Sequence, residues 1–197
     1  QRGIYVIADE CYVYLNFTTR RFSAGSITDA KQHLVIIGSL SKTYAMTGWR
    51  LGYALAPAPI INAMTKLQSQ STSSTAHMVQ MAGLVAVTGP QDCVEKMKKD
   101  YIQLRDLTLG HLSLIPGVTC VKPEGAFYVY PNVSAYFGKS GITSGADVAK
   151  RLLHEAHVVT VPGEAFGTRE HIRLSYATSP TEIERGMERM QEWFGKL

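Results

Sequence analysis

Cysteine is scarce in this chain: Cys11, Cys93 and Cys120 are the three present among 197 residues, and they stand far apart. Scattered thiols give neither a paired disulfide framework nor a CxxC metal spacing, and a reducing, cytoplasmic setting is the default expectation. Long hydrophobic runs are missing as well. None approaches a bilayer span, and the first residues lack the charged head and apolar middle of a signal peptide, so no membrane partner is expected. An excess of one charge sign is also absent: 20 basic residues against 16 acidic ones leave +4. The one local basic cluster, Lys96-Met97-Lys98-Lys99, runs straight into Asp100 and reads as a solvated helix face, so no nucleic-acid partner is expected. Of the 6 histidines, only His154 and His157 approach zinc-like spacing, and, at a helix end with no cysteine near them, they read as surface or core histidines. No metal is expected.

What is there is an ordinary globular composition, 45% hydrophobic, arranged as alternating strand and helix signals. Ile4 to Ala8 and Leu34 to Ser39 are continuous, β-branched runs of the kind found in parallel strands buried on both faces. A third strand over Leu51 to Ala56 ends at Pro57. Helical patterns cover about Pro59 to Gln70 and Ala76 to Thr88, with a polar loop, Ser69 to Thr75, between them. After Gly89-Pro90 a long amphipathic helix carries Val94, Met97, Tyr101, Leu104 and Leu112 and reads as a connection to a second domain. Strands are then expected around Val118 to Val121, Ala126 to Tyr130, Val158 to Val161 and Ile172 to Tyr176, with a helix over Gly145 to Ala156. The last helix opens on Ser179-Pro180-Thr181-Glu182, a capping box with proline at the first helical position. Its stripe is Ile183, Met187, Met190 and Phe194. A strand that begins within the first few residues enters a sheet midway, so the chain reads as a piece of a larger protein.

The most informative stretch is SLSKTYAMTGWRLGYALAP, residues 39 to 57. Most lysines are solvated surface cations, but Lys42 follows a buried-strand signal at the point where open α/β sheets bind ligands. Two hydroxyls, Ser39 and Ser41, stand beside it, and Arg50 is a short loop away. An amine able to form an imine, next to groups suited to grip a phosphate, is what an aldehyde cofactor with a phosphate arm requires. The blander reading makes the serines turn formers and Arg50 a surface ion pair. Asp9, in Asp9-Glu10-Cys11-Tyr12, leaves the first strand at the same sheet edge. It reads equally as a turn aspartate, and Tyr12 as a packing aromatic.

With SLSKTYAMTGWRLGYA, DECY, EGAFYVYP and HIRLSYATS in this order, the chain resembles the C-terminal half of a class I, fold-type I, aminotransferase dependent on pyridoxal 5'-phosphate. The likeness runs from Ile4 to the end. It implies an α/β fold: part of a mostly parallel, three-layer α/β/α large-domain sheet over 1-90, then an α+β small domain over 91-197 entered by the long helix. It also implies that Lys42 forms the internal aldimine and moves the proton between substrate Cα and cofactor. Asp9 would face the pyridine nitrogen and Tyr12 the phenolic oxygen, with Cys11 a small packing residue against the ring. Ser39, Ser41 and Arg50 would bind the phosphate, with Gly48 and Gly52 letting the main chain approach it. Arg173 would clamp the substrate α-carboxylate, Arg169 being the exposed neighbour. Phe127 would line the substrate side or serve as a core aromatic. Gly163-Glu164-Ala165-Phe166-Gly167 reads as the loop before the arginine strand.

The activity implied is ping-pong amino transfer between an α-amino acid and a 2-oxo acid, in a homodimer whose partner chain completes the sites. The Ser69 to Thr75 loop is a candidate for that interface. Two other readings stand on the same scaffold: a lyase or synthase, and a cofactor-binding sensor domain of a transcription regulator.

Overall fold

The computed structural model describes residues 3–18 and 22–197. They form two compact units, Gln1–Lys98 and Lys99–Leu197. In the first, β1 (Val6–Asp9), β2 (Leu34–Ser39) and β3 (Gly52–Leu55) make a sheet in the order β1-β2-β3. β1 runs parallel to β2, pairing Asp9 with Ile37, while β3 returns antiparallel and sets Gly52 opposite Ser39. The close approach of β2 and β3 depends on glycine. A Cβ on Gly52 would come within 2.8 Å of the Gly38 carbonyl oxygen, and one on Gly38 would strike the Tyr53 ring lying across it.

β2, with a strand on each side, buries Leu34 and Val35. β1, read from the sequence as entering a sheet midway, stands at the edge of this one. It has one strand neighbour among the described residues, and Val6 and Ile7 are exposed at 53% and 72%. The short helix α1 (Leu40–Thr43) follows β2 directly, and α2 (Ala58–Ser71) and α3 (His77–Thr88) follow β3. α2 runs deeper into the polar stretch than its composition suggests. The Ser69 and Ser71 hydroxyls bond back to the Lys66 and Leu67 carbonyls, 2.8 and 3.1 Å, which removes their competition with the helical backbone.

The boundary between the units falls inside α4 (Asp92–Ser113). In the second unit β4 (Tyr128–Val129), β5 (Val161–Pro162) and β6 (Ile172–Ser175) form an antiparallel sheet in the order β4-β6-β5. One face of it is core: Val129 and Ile172 are fully buried, Leu174 nearly so. α5 (Gly145–Arg151) packs on β5 and β6, and its backbone runs on as a single π turn, Leu152–Ala156, stopped by His157 in the left-handed region. α6 (Pro180–Phe194) begins as its capping sequence predicts. The Ser179 hydroxyl accepts from the Glu182 N–H at 3.3 Å, although the Glu182 carboxylate turns to Arg185 instead of closing the box. Ile183, Met187, Met190 and Phe194 are buried along one stripe, each contributing roughly 1.5–3 kcal/mol of apolar burial.

One expected strand does not form. From Val118 to Val121 only Thr119 finds a ladder partner, Asn132, and Val121 is 88% exposed. Pro116 and Gly117, at φ +78°, precede this segment and Pro123 follows it, so the run is too short to pair.

Candidate active site

The parallel register of β1 and β2 brings the ends of both strands to one edge of the first sheet. Asp9 and Ser39 therefore deliver their loops side by side. Asp9 is exposed and accepts the Cys11 N–H on Oδ1 at 3.0 Å, which curls the chain at once toward Tyr12. Tyr12 is half-buried at the start of a 3-10 turn over Val13–Leu15, with Leu15 fully buried behind it.

Across the edge, Ser39 ends β2 and caps α1, its hydroxyl oxygen accepting from the Ser41 N–H at 3.1 Å. The sequence reading as a turn former and the reading as a phosphate donor are thus compatible. Capping uses the Oγ lone pair and leaves the O–H proton for another acceptor. Ser41 and Lys42 follow in α1, both half-buried.

Arg50 reaches the same place through three ties. The Leu40 N–H donates to the Leu51 carbonyl at 3.2 Å, the Thr47 hydroxyl donates to the Ser41 carbonyl at 3.1 Å, and the Arg50 guanidinium donates to the Thr47 carbonyl at 3.0 Å. Arg50 itself holds φ 54°, ψ 46°, the left-handed region. No carboxylate pairs with it among the described residues, so the surface-ion-pair reading finds no support. Gly52 is required by the Gly38 carbonyl for the strand pairing itself, whereas a Cβ on Gly48 would meet no protein atom. A cavity of about 350 Å³ lies beside this edge, lined by Glu10, Tyr14, Ser39, Tyr44 and Tyr53 among others. Burial there, reinforced by the neighbouring phenols, pushes the Tyr44 and Tyr53 hydroxyls above their ordinary pKa, and both are neutral at physiological pH.

In the second unit, Arg173 lies in β6 on the face opposite the core residues Ile172 and Leu174. It is half-buried, and no carboxylate meets it among the described residues. Aromatic rings cover it instead: its guanidinium carbon is 4.4 Å from the Tyr128 ring centroid and 4.3 Å from that of Phe166. Phe127 takes the other side of its strand. It is 8% exposed, with its ring 5.4 Å from Tyr101 and 4.8 Å from Tyr128. The ring contacts to Arg173 thus come from Tyr128 and Phe166, which the sequence did not single out. The available signal was an aromatic between two glycines, Gly163 and Gly167, just ahead of the arginine strand. Arg169, the expected decoy, is exposed.

Residues 1–190 match the family of aminotransferases, class I and II. The chain belongs to that family. It is 40% identical to the aspartate aminotransferase of Geobacillus stearothermophilus over 193 residues, 97% of this chain and 49% of the relative. It is 42% identical to that of Bacillus sp. strain YM-2, over 98% of this chain and 50% of the relative. Among solved structures, the aspartate aminotransferase from Rhizobium meliloti superimposes with a TM-score of 0.93 at 36% identity, covering 98% of this chain and 50% of that one. An aromatic aminotransferase from Pyrococcus horikoshii gives 0.90 at 34% identity, over 98% and 51%. The chain spans about half the length of the curated relatives it matches. Class I and II aminotransferases are transferases that depend on pyridoxal 5'-phosphate.

The donor set at the first sheet edge suits that cofactor. Ser41 has a half-buried hydroxyl and Arg50 a guanidinium with a single backbone bond, both able to meet a phosphate. One Asp9 oxygen is occupied by the Cys11 amide, leaving the other for an N–H acid. Among the described residues no group of three or more His, Cys, Asp or Glu could hold a metal ion, and no helix is long and apolar enough to cross a membrane.

Proposed function

We propose that this chain carries the lysine-bearing part of a pyridoxal-phosphate aminotransferase, moving an amino group between an α-amino acid and a 2-oxo acid by a ping-pong cycle. The observation that carries the reading is the assembly at one sheet edge: Lys42 in α1, the Ser39 and Ser41 hydroxyls, and Arg50 tied to them through Thr47. When bound, pyridoxal phosphate supplies an electron sink for ionisation of the substrate Cα–H bond. The Lys42 amine would bond the cofactor's aldehyde carbon at rest and would take up the Cα proton during transfer. Asp9 would accept the pyridine N–H and so keep that nitrogen protonated. Tyr12 would donate to the cofactor's phenolic oxygen, while Ser39, Ser41 and Arg50 would hold the phosphate. Arg173 grips the substrate α-carboxylate with its N–H fork, and Phe127 backs the substrate side from within the packed aromatic cluster.

In domain terms, residues 1-90 belong to the cofactor-binding domain and 91-197 to the smaller one. A cytoplasmic homodimer completes the proposal. Exposed apolar side chains in the first unit, among them Leu67 at 73% and Met78 at 75%, support association over an isolated existence. Relatives named for aspartate and for aspartate/prephenate make aspartate the first donor to assay.

The test adds pyridoxal phosphate to the protein in its natural full length and titrates amino acids. Loss of the cofactor's absorbance with formation of the matching oxo acid is expected. Pyruvate and ammonia released from a β-substituted amino acid would favour a lyase, and no spectral response to any amino acid would favour a sensor.

A further inference from the structure

The proposed carboxylate grip leaves open how a half-buried arginine is kept aimed and unpaired until substrate arrives. A partly desolvated guanidinium ordinarily recruits a carboxylate, which would then compete with the substrate. Here it meets rings at 4.3 and 4.4 Å. A ring attracts the cation through its π face without accepting the in-plane N–H groups, so the fork that a carboxylate needs stays available.

Phe166 owes its position to a built turn. It ends a 3-10 turn, Gly163–Phe166, that Gly167 closes at φ 82°. The Gly163 N–H donates to the His171 carbonyl at 2.8 Å, and a Cβ at Gly163 would come within 2.5 Å of that same oxygen. The Gly163 carbonyl accepts from the Thr168 N–H at 3.1 Å and from the Tyr130 hydroxyl at 3.2 Å. Tyr130 in turn stacks on His171 at 4.7 Å and presents its ring edge-on to Phe166 at 6.0 Å. This scaffold holds a large apolar side chain that is still 46% exposed, and the cation it touches is the one proposed to bind substrate.

We propose that Phe166, carried on the Gly163–Gly167 turn, is a positioning residue for Arg173: its ring covers and orients the guanidinium so that the N–H fork stays open to an α-carboxylate. This rests on the carboxylate role of Arg173.

The test uses the full-length, cofactor-loaded protein with Phe166→Leu, Phe166→Tyr, Arg173→Lys and the double variant Phe166→Leu/Arg173→Lys. Phe166→Leu should raise KM for the α-amino acid by about tenfold, the range open to a desolvated cation–π contact. Its single-turnover rate with propylamine, which has no carboxylate, should stay at the wild-type value, and Phe166→Tyr should restore KM. In the Arg173→Lys background the Phe166 change should add little, since the contact it makes is already altered. Equal losses for amino acid and amine, or full additivity in the double variant, would overturn the proposal. An Arg173→Lys variant with unchanged KM would instead refute the carboxylate role itself.

Discussion

Arg50 adopts a backbone conformation that few side-chain-bearing residues tolerate, left-handed at φ 54°, ψ 46°, at a cost of order 1–3 kcal/mol when nothing compensates it. Such strain persists where the surroundings impose it, and here the Thr47, Ser41 and Leu51 ties do so. Its consequence is a guanidinium held on the Thr47 carbonyl, with Thr47 in turn bonded to the Ser41 carbonyl. Arg50→Lys and Ser41→Ala should each weaken pyridoxal-phosphate binding to the apoprotein by about 10- to 100-fold, the range for lost hydrogen bonds to a charged group; fluorescence titration of the full-length apoprotein measures this, and unchanged affinity would remove both from the phosphate site. At this scale the sequence was legible wherever chemistry sits in a short contiguous string, as in Ser39-Leu40-Ser41-Lys42. It was not legible for Phe166, whose contact with Arg173 depends on a turn geometry seven residues away that periodicity does not encode.

Elements hold together through local pairs and through side chains far apart in sequence, the latter announced by no local pattern. The Glu155 carboxylate, in the π turn after α5, takes a two-pronged pair from Arg151 at 2.7 and 3.1 Å and the indole N–H of Trp193 in α6 at 2.7 Å. These donors, Arg151 first and Trp193 second, pull its pKa from an ordinary 4.5 down to about 2. A depressed folded-state value means that the bonds stabilise the fold fully above about pH 4.5 and less as pH falls toward 2. The urea midpoint of wild type should therefore exceed that of Glu155→Gln by a constant margin at neutral pH, and the margin should shrink below pH 4.5. A margin independent of pH over that window would mean that the carboxylate's charge is not what links α5 to α6. Helix spans were readable from apolar spacing and caps, as α6 shows with Ser179 and Pro180. The strand expected at Val118 to Val121 failed because an apolar run between proline-bearing turns has no room to pair, a constraint set by neighbours in space.

Across the whole molecule, two units each present one part of the proposed chemistry: the cofactor grip at the edge of the first sheet, and Arg173 on the open face of the second. The α/β character and the order of motifs were visible in the sequence. The exposed apolar side of β1 fits the reading of a strand that enters a sheet midway. All the proposed roles depend on the Lys42 nitrogen bonding the cofactor's aldehyde carbon. The direct measurement is reduction of the full-length, pyridoxal-phosphate-loaded protein with borohydride, followed by digestion and mass analysis. A stable pyridoxyl group on the peptide containing Lys42, and none after Lys42→Ala, is expected; a label on another lysine, or no label in the wild-type protein, would contradict the assignment of Lys42.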